Sequence, residues 1–514
     1  MVESISKVAI IGGGPSGLAT LHELLHTTEE STSTITKPSA PTLPLKSAFK
    51  EIVVFEQTDH IAGVWNYSAE TDPQFPQTEN YSDPNSIRGF RTPNDEQFNN
   101  KWDKSAVYDH LFTNIPNDLM RFSTSLETPQ LVDKNSNIYA PFVLHQNVLN
   151  YVHRFAEERD LKKYIRFNSC VEKVYKKDNH WILSICKTTP HGEEWYEEEF
   201  DAVAVCVGRF NVPFMPFVNG MKQYVDKNPG KVMHSKAFRN TENLKDKKVL
   251  IVGSGISAID ILQYLFPICK EVHISGNSVN SFGKNNASEE ERKKLADWVE
   301  RILSDSSLPL FKHSRIKEFK DEIVSFEDGS SDNFDVIIFC TGYHLYYPFL
   351  EIPENKEKGY VSITSGVDGN PNYARTKVDN LYLYTFTTAD PTLAHVGVAQ
   401  NPLFFLTSET NAIAIAGVWS RWNKDSKLPT FEEMNKWCKN RFIGKKSGFQ
   451  VYDENSIHDL IKASLELGPE NRFNFLPYLT PKTVTESKKV LEDLFYKFAK
   501  GELDQFDKKC QYSG

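Results

Sequence analysis

The stretch KVAIIGGGPSGLATLHELL, residues 7–25, decides the fold. A short β-rich apolar run meets a glycine cluster and gives way to a helical pattern, which reads as strand, tight turn, helix. Gly12, Gly14 and Gly17 match G-x-G-x-x-G, with Gly13, Pro15 and Ser16 completing the turn. In that pattern Gly12 permits the tight turn, Gly14 lets the backbone approach a pyrophosphate, and Gly17 allows close helix–strand packing. The free N–H groups and the dipole at the helix start receive phosphate charge. The next β-rich run, EIVVFE (51–56), ends at Glu56, which is placed to accept hydrogen bonds from both hydroxyls of a ribose. This acid lies further along than the usual ~20 residues. The intervening segment 27–47, rich in Ser, Thr and Pro and aperiodic, accounts for the excess and reads as a surface loop.

The pattern returns at KKVLIV (247–252), followed by GSGISA and a helical IDILQYL. Gly253, Ser254 and Gly255 repeat the turn, and Ala258 takes the third place, an accepted variant. The following strand, EVHIS, ends at Ser275-Gly276-Asn277 with no carboxylate. An acid there would favour NAD, so its absence favours NADP, with Ser275 and a nearby cation as ligands of the 2′-phosphate. Lys284 is the nearest candidate cation and Arg292 the next. Each turn also has its own later strand: FDAVAVCVG (200–208) and FDVIIFCTG (334–342) share Phe-Asp at the start and Cys-x-Gly at the end. Cys206 and Cys340 read as buried strand residues, not a redox pair. The expected fold is α/β, with two Rossmann-like dinucleotide-binding domains. A first domain at 1–212 and 340–514 is interrupted by a second at 213–339. Two such folds imply two dinucleotides; a flavin held permanently and a nicotinamide that exchanges would give a hydride path between them.

Composition narrows the alternatives. With 59 Lys+Arg against 68 Asp+Glu the chain carries −9, which argues against a nucleic-acid binder working through a broad basic face. The seven cysteines include no C-x-x-C and no zinc-type spacing, so no metal site is expected and the thiols read as reduced and intracellular. The opening residues lack a signal-peptide pattern, and no window reaches the ~18 apolar residues of a membrane span. A cytoplasmic protein is expected, a peripheral place at the cytosolic face of the endoplasmic reticulum being the other option, and a homo-oligomer stays open.

Several further motifs resemble those of the flavin-containing monooxygenases, class B flavoprotein monooxygenases, over most of the chain. GGGPSGL resembles the family's FAD fingerprint, and Ala62-Gly63-Val64-Trp65 its GGxW segment beside the flavin. SAVYDHLFTNIPNDLM (105–120) is similar to YxxLxTNxPxxxM, which carries over Thr113 and Asn114. GSGISAID resembles the NADP turn and brings Ser257 and Asp260; CTGY (340–343) resembles the ATGY link between domains. NPGKVMHSKAF matches FxGxxxHxxx(Y/F) in part, through Gly230, His234 and Phe238, with Asn228 in place of the first aromatic. PTLAHVGVAQNPLF (391–404) resembles the segment that brings a glutamine, here Gln400, near the flavin ring. Without a hydrophobic C-terminal anchor the chain is most similar to the shorter soluble fungal type.

The resemblance implies FAD and NADPH/NADP+ as cofactors, with a small nucleophilic substrate and O2 as partners. The implied reaction is oxygenation of sulfur or nitrogen through an FAD C4a-hydroperoxide. Asn114 is the catalytic candidate, because a neutral amide can both donate and accept without protonating what it holds; by position alone it is a turn residue before Pro116. Trp65 either stacks near the flavin or fills a core. Val171 either touches adenine through its backbone or is a plain strand residue. His234 and Phe238 serve a domain link at least as readily as chemistry. Three other classes share parts of this pattern. A Baeyer–Villiger monooxygenase acting on ketones or aldehydes would end the partial motif in Trp, where this chain has Phe238. A pyridine-nucleotide disulfide reductase would need paired cysteines. A non-enzymatic flavin- or nucleotide-binding protein would not be expected to keep both glycine turns and the Thr-Asn segment.

Overall fold

The computed structural model of the chain describes residues 3–503 except 40, 73–75, 77–78, 80, 83–90, 94–101, 130–138, 277–296, 352–360, 366–373, 423, 442–456 and 479–480. The first sheet has the strand order Leu381–Tyr382, Phe386–Thr387, Leu393–His395, Ala202–Val205, Lys7–Ile11, Glu51–Phe55, Ile165–Arg166. From Leu393–His395 onward all its strands are parallel. Parallel strands covered on both faces need continuous apolar runs, and Val8, Ala9 and Ile10 are fully buried. Successive side chains leave on opposite faces. Val8 and Ile10 therefore join the core under the helices Pro15–Leu25 and Phe404–Ser420. Ala9 and Ile11 face a three-stranded antiparallel sheet, Ser169–Lys177, His180–Thr189 and Gly192–Phe200.

The second sheet repeats this plan. Its order is Leu310–His313, Glu271–Ser275, Lys248–Val252, Val336–Phe339, Val232–His234, all parallel. Val249 and Ile251 pack under the helix Ile256–Leu265, while Leu250 and Val252 face a small antiparallel sheet that supplies Phe319, Val324 and Phe326. The helix Pro481–Ala499 also belongs to this second core, through Leu491, Leu494, Phe495 and Phe498. So do Tyr108, Phe112, Tyr139 and Phe142, from a segment that precedes the whole second sheet in the chain. The two crossings between the sheets lie side by side, because Val212–Pro213 pairs antiparallel with Tyr343–His344.

The near-repeat in sequence has a shared structural cause. A Cβ on Gly12 would sit 2.6 Å from the Cys206 carbonyl oxygen, and one on Gly253 would sit 2.5 Å from that of Cys340. Both glycines also hold positive φ, +107° and +110°, a region where other residues are strained. In each unit the carbonyl of the later strand's cysteine thus closes against the glycine turn. Both thiols are buried and unpaired. Segment 27–47 corrects one expectation. Its described residues form no regular helix or strand, but it is not merely a surface loop: Thr27 and Ile35 are fully buried, and Ser31 and Ser33 nearly so. Ser33 donates its N–H to Glu470 at 2.7 Å and the Ser31 carbonyl accepts from Glu470 at 2.9 Å, so a distant segment supplies its backbone partners. Among the described residues no helix is long and apolar enough to cross a membrane, and no cluster of ligating side chains could hold a metal ion.

Candidate active site

Both glycine turns open onto one cavity of about 1780 Å3. At the first turn Gly12, Gly14, Pro15 and Ser16 line it, while Gly17 lies behind and packs so closely that a Cβ there would meet the Gly12 carbonyl at 1.9 Å. A Cβ on Gly14 would have only Gly63 near it, no closer than 3.8 Å, so the turn presents bare backbone to the cavity. Glu56 reaches back across this turn: one carboxylate oxygen accepts the Gly13 N–H at 2.7 Å, and the other accepts the Thr58 N–H at 2.9 Å and hydroxyl at 2.8 Å. The oxygen that Gly13 reaches keeps a lone pair, and the residue lines the cavity, as a ribose acceptor must. Val171 also lines the cavity, at a point where its strand's ladder shifts register between Val171 and Lys173. These residues fit a dinucleotide.

The second turn differs in its exposure. Gly253, Ser254, Gly255 and Ser257 line the cavity, and a Cβ on Gly255 would meet nothing within 4 Å. Gly255 and Ser257 are exposed at the helix start, and Ala258 is fully buried beneath them. Ser275 lines the cavity, but its side chain is fully buried and its hydroxyl donates to the Ser314 carbonyl at 2.6 Å. Its one proton is spent, which corrects the expectation that it hydrogen-bonds a 2′-phosphate. Lys284, Arg292 and Asn277 lie outside the described residues. Arg315, the residue after Ser314, lines the same cavity. Its position roughly 40 residues past the strand end, brought back only by sheet pairing, leaves no spacing signal that could have singled it out.

Between the turns stands the Thr-Asn segment. Thr113 is buried and self-satisfied: its N–H donates to Val143 at 2.8 Å and its hydroxyl to Ile115 at 2.8 Å. Asn114, flanked by buried Thr113 and Ile115, is exposed on the cavity wall, and its side chain has no hydrogen-bond partner among the described residues. An Asx-turn asparagine would bond its own backbone; this one does not. Gln400 ends a fully buried run and is likewise exposed to the cavity. Val64 and Trp65 line it as well, half-buried in the short 3-10 turn Gly63–Trp65, and Trp65 also packs on the first core. Tyr108, from the same segment as Asn114, donates its hydroxyl to Asp260, whose other oxygen accepts from Gln263 at 3.1 Å. Burial raises the Asp260 carboxyl to about 6. Asp260 therefore ties the Asn114 segment to the second helix.

The partial histidine motif is a clamp. His234 accepts the Lys236 N–H at Nδ1, so Nε2 carries the proton and donates to Gly342 at 3.0 Å across the crossing. Burial pushes this imidazole down to about 3, which keeps it neutral. Arg239 directs its donors to the carbonyls of Ser68, Glu70, Ser105, Lys236 and Phe238, at 2.6–3.0 Å. Three separate segments are held by that one guanidinium.

Two nucleotide turns facing one cavity define a two-dinucleotide oxidoreductase, and the comparisons agree. The S-allyl-L-cysteine S-oxygenase from Allium sativum has the same fold, with TM-score 0.65 at 24% identity, covering 98% of this chain and 95% of that one. Cyclohexanone monooxygenase bound to ε-caprolactone shares it at TM-score 0.53 and 15% identity, over 90% of this chain and 97% of that one. The family model described as flavin-binding monooxygenase-like matches residues 94–289 and 296–367, more than half the chain, and the chain belongs to that family. Among its relatives, flavin-containing monooxygenase FMO GS-OX1 of Arabidopsis thaliana is 28% identical over 420 residues, covering 80% of this chain and 73% of the relative. FMO GS-OX-like 7 of the same plant is 29% identical over 435 residues, covering 84% and 76%. The protein is thus a monooxygenase, and its family implies a flavin.

Proposed function

We propose that the protein is an NADPH- and O2-dependent monooxygenase that oxygenates soft nucleophiles, sulfur or nitrogen, with FAD at the first turn and NADP at the second. The observation that carries this reading is Asn114: an amide with no partner among the described residues, on the wall of a cavity onto which both nucleotide turns open. FAD, when bound, would supply dioxygen activation at the expense of reduced nicotinamide. The chain's own part is to bind, orient and exclude water. Gly12 to Ser16 and Glu56 would hold one dinucleotide, and Gly253 to Ser257 the other, with Arg315 as the cation for its 2′-phosphate. Thr113, locked into its loop, fixes the backbone from which Asn114 projects. The amide can donate and accept in one place and carries no acidic proton, which suits a site where an early proton would discharge an activated oxygen.

We place the FAD unit at 1–212 and 340–514 and the NADP unit at 213–339, with the helix Pro481–Ala499 seated on the NADP unit's core. The test follows NADPH consumption and product formation with a thioether, an amine and a ketone. Oxygenated thioether or amine is expected, and turnover of the ketone alone would replace this reading with a Baeyer–Villiger one. In Asn114→Asp, bound flavin is expected to remain while oxygenation is lost. Unchanged sulfide oxidation in that variant would remove Asn114 from the mechanism.

A further inference from the structure

Arg209 stands where the chain leaves the first sheet. It follows Gly208, held at φ +73°, and precedes the crossing strand Val212–Pro213. It lines the cavity, and one of its guanidinium nitrogens donates to the Val398 carbonyl at 3.0 Å, two residues before Gln400. No other hydrogen bond and no ion pair reaches it among the described residues. Two carboxylates that line the same cavity are engaged elsewhere: Glu56 by Gly13 and Thr58, Asp260 by Tyr108 and Gln263. Its neighbours are aromatic. The guanidinium carbon is 6.0 Å from the Phe210 ring centroid, and Phe210 in turn packs edge-on to Tyr343 at 5.4 Å. Burial lowers the Arg209 guanidinium, and what acts against that is the Tyr347 hydroxyl, not a carboxylate.

A permanent cation with donors left over, set in an aromatic wall, is costly unless an anion completes it. Phe210 is 45% exposed and Phe217 46% exposed, and both line the same cavity. The wall beside the cation can therefore take an apolar body. We propose that Arg209 is the anion-binding group of the substrate pocket, and that the substrates join a carboxylate or similar oxyanion to the soft sulfur or nitrogen through a short apolar stem. This rests on the monooxygenase reading above and names its substrate class. A planar guanidinium suits a carboxylate by two parallel N–H bonds. The same charge disfavours alkylammonium compounds, so protonated amines are the poorer substrates.

The source of the anion could instead be a cofactor phosphate, and the test separates the two. Methyl p-tolyl sulfide and 4-(methylthio)benzoate have nearly the same shape and differ in one methyl against one carboxylate. The holoenzyme, Arg209→Gln and Arg209→Lys are compared by kcat/KM for each sulfide, by the KM for NADPH, by retained flavin, and by equilibrium dialysis of 4-(methylthio)benzoate. In Arg209→Gln the benzoate-to-tolyl ratio of kcat/KM is expected to fall about tenfold or more, with benzoate binding weakened in parallel and part of both recovered in Arg209→Lys. An unchanged ratio overturns the proposal, as does an equal fall with both sulfides. A rise in the NADPH KM or loss of flavin at an unchanged ratio assigns the anion to a cofactor and also overturns it. If the wild-type protein oxygenates neither sulfide, the monooxygenase reading fails, and the dialysis still decides whether Arg209 binds the carboxylate.

Discussion

The two glycine turns are built alike and set differently. Both put a glycine at positive φ against the carbonyl of a later cysteine, at nearly the same distance. Beyond that they part. Every residue of the first helix, Pro15–Leu25, is buried, and Glu56 bonds straight to the turn at Gly13. At the second, Gly255 and Ser257 are exposed, Ile256 is 46% exposed, and no carboxylate stands at the strand end. The first helix start is enclosed by the protein, whereas the second is exposed along the cavity wall. On the proposed reading the same motif would serve a held ligand and an exchanging one, and the difference lies in what packs around it.

The sharpest way to break this comparison is at the third motif position. Gly17→Ala would drive a methyl into the Gly12 carbonyl, with a gap of 1.9 Å, and is expected to abolish flavin binding or folding. Loss of at least about 2 kcal/mol of stability, read by thermal unfolding and by the visible flavin band, would fit the overpacking. Ala258→Gly at the equivalent place should cost only about 1 kcal/mol, the helix-propensity difference. Equal losses would mean the two turns are not distinguished by packing.

A smaller effect is expected from the acid. Glu56→Ala leaves the buried Gly13 N–H unpaired and removes the ribose acceptor, so flavin retention measured by dialysis should weaken by about tenfold to a hundredfold. Ser275→Ala removes a hydroxyl that serves Ser314 instead, and the NADPH KM should move by no more than about twofold. A large rise would return Ser275 to the phosphate site.

The least effect comes from pH. His26, at the end of the first helix, is nearly fully buried and is pushed by that burial from 6.5 down to about 4. A base whose folded pKa is depressed adds stability that is complete above 6.5 and lost as pH falls toward 4. The melting temperature should therefore drop on acidification from pH 7 to 5, and His26→Gln should remove about 1 kcal/mol of that loss per pH unit. An identical slope in the variant would place the acid sensitivity elsewhere.

Much of this was legible in the sequence, for local reasons. A turn motif spans a handful of residues and carries its geometry with it, so Gly12, Gly14 and Gly253 could be located from spacing, and Glu56 from its place at the end of the next β-rich run. What could not be read depends on partners far along the chain. Ser275 looked like a phosphate ligand because nothing nearby shows that Ser314 takes its proton. Ile35 sits in a Ser/Thr/Pro-rich stretch whose composition hides that Glu470 backs it. Arg315 and Arg209 belong to no motif; only the folded cavity gives them meaning.

The helix Pro481–Ala499 has one more consequence. Its Leu491, Leu494, Phe495 and Phe498 complete a core whose sheet is laid down by residue 339. During synthesis the strands of the second sheet therefore emerge well before the helix that packs on their core. The side chains that complete that core follow only after about 150 to 160 further residues, at ~5–20 residues per second. The closing strands of the first sheet, Leu381–Tyr382 to Leu393–His395, are made in between, so the sheet begun first is complete in sequence before the second core is.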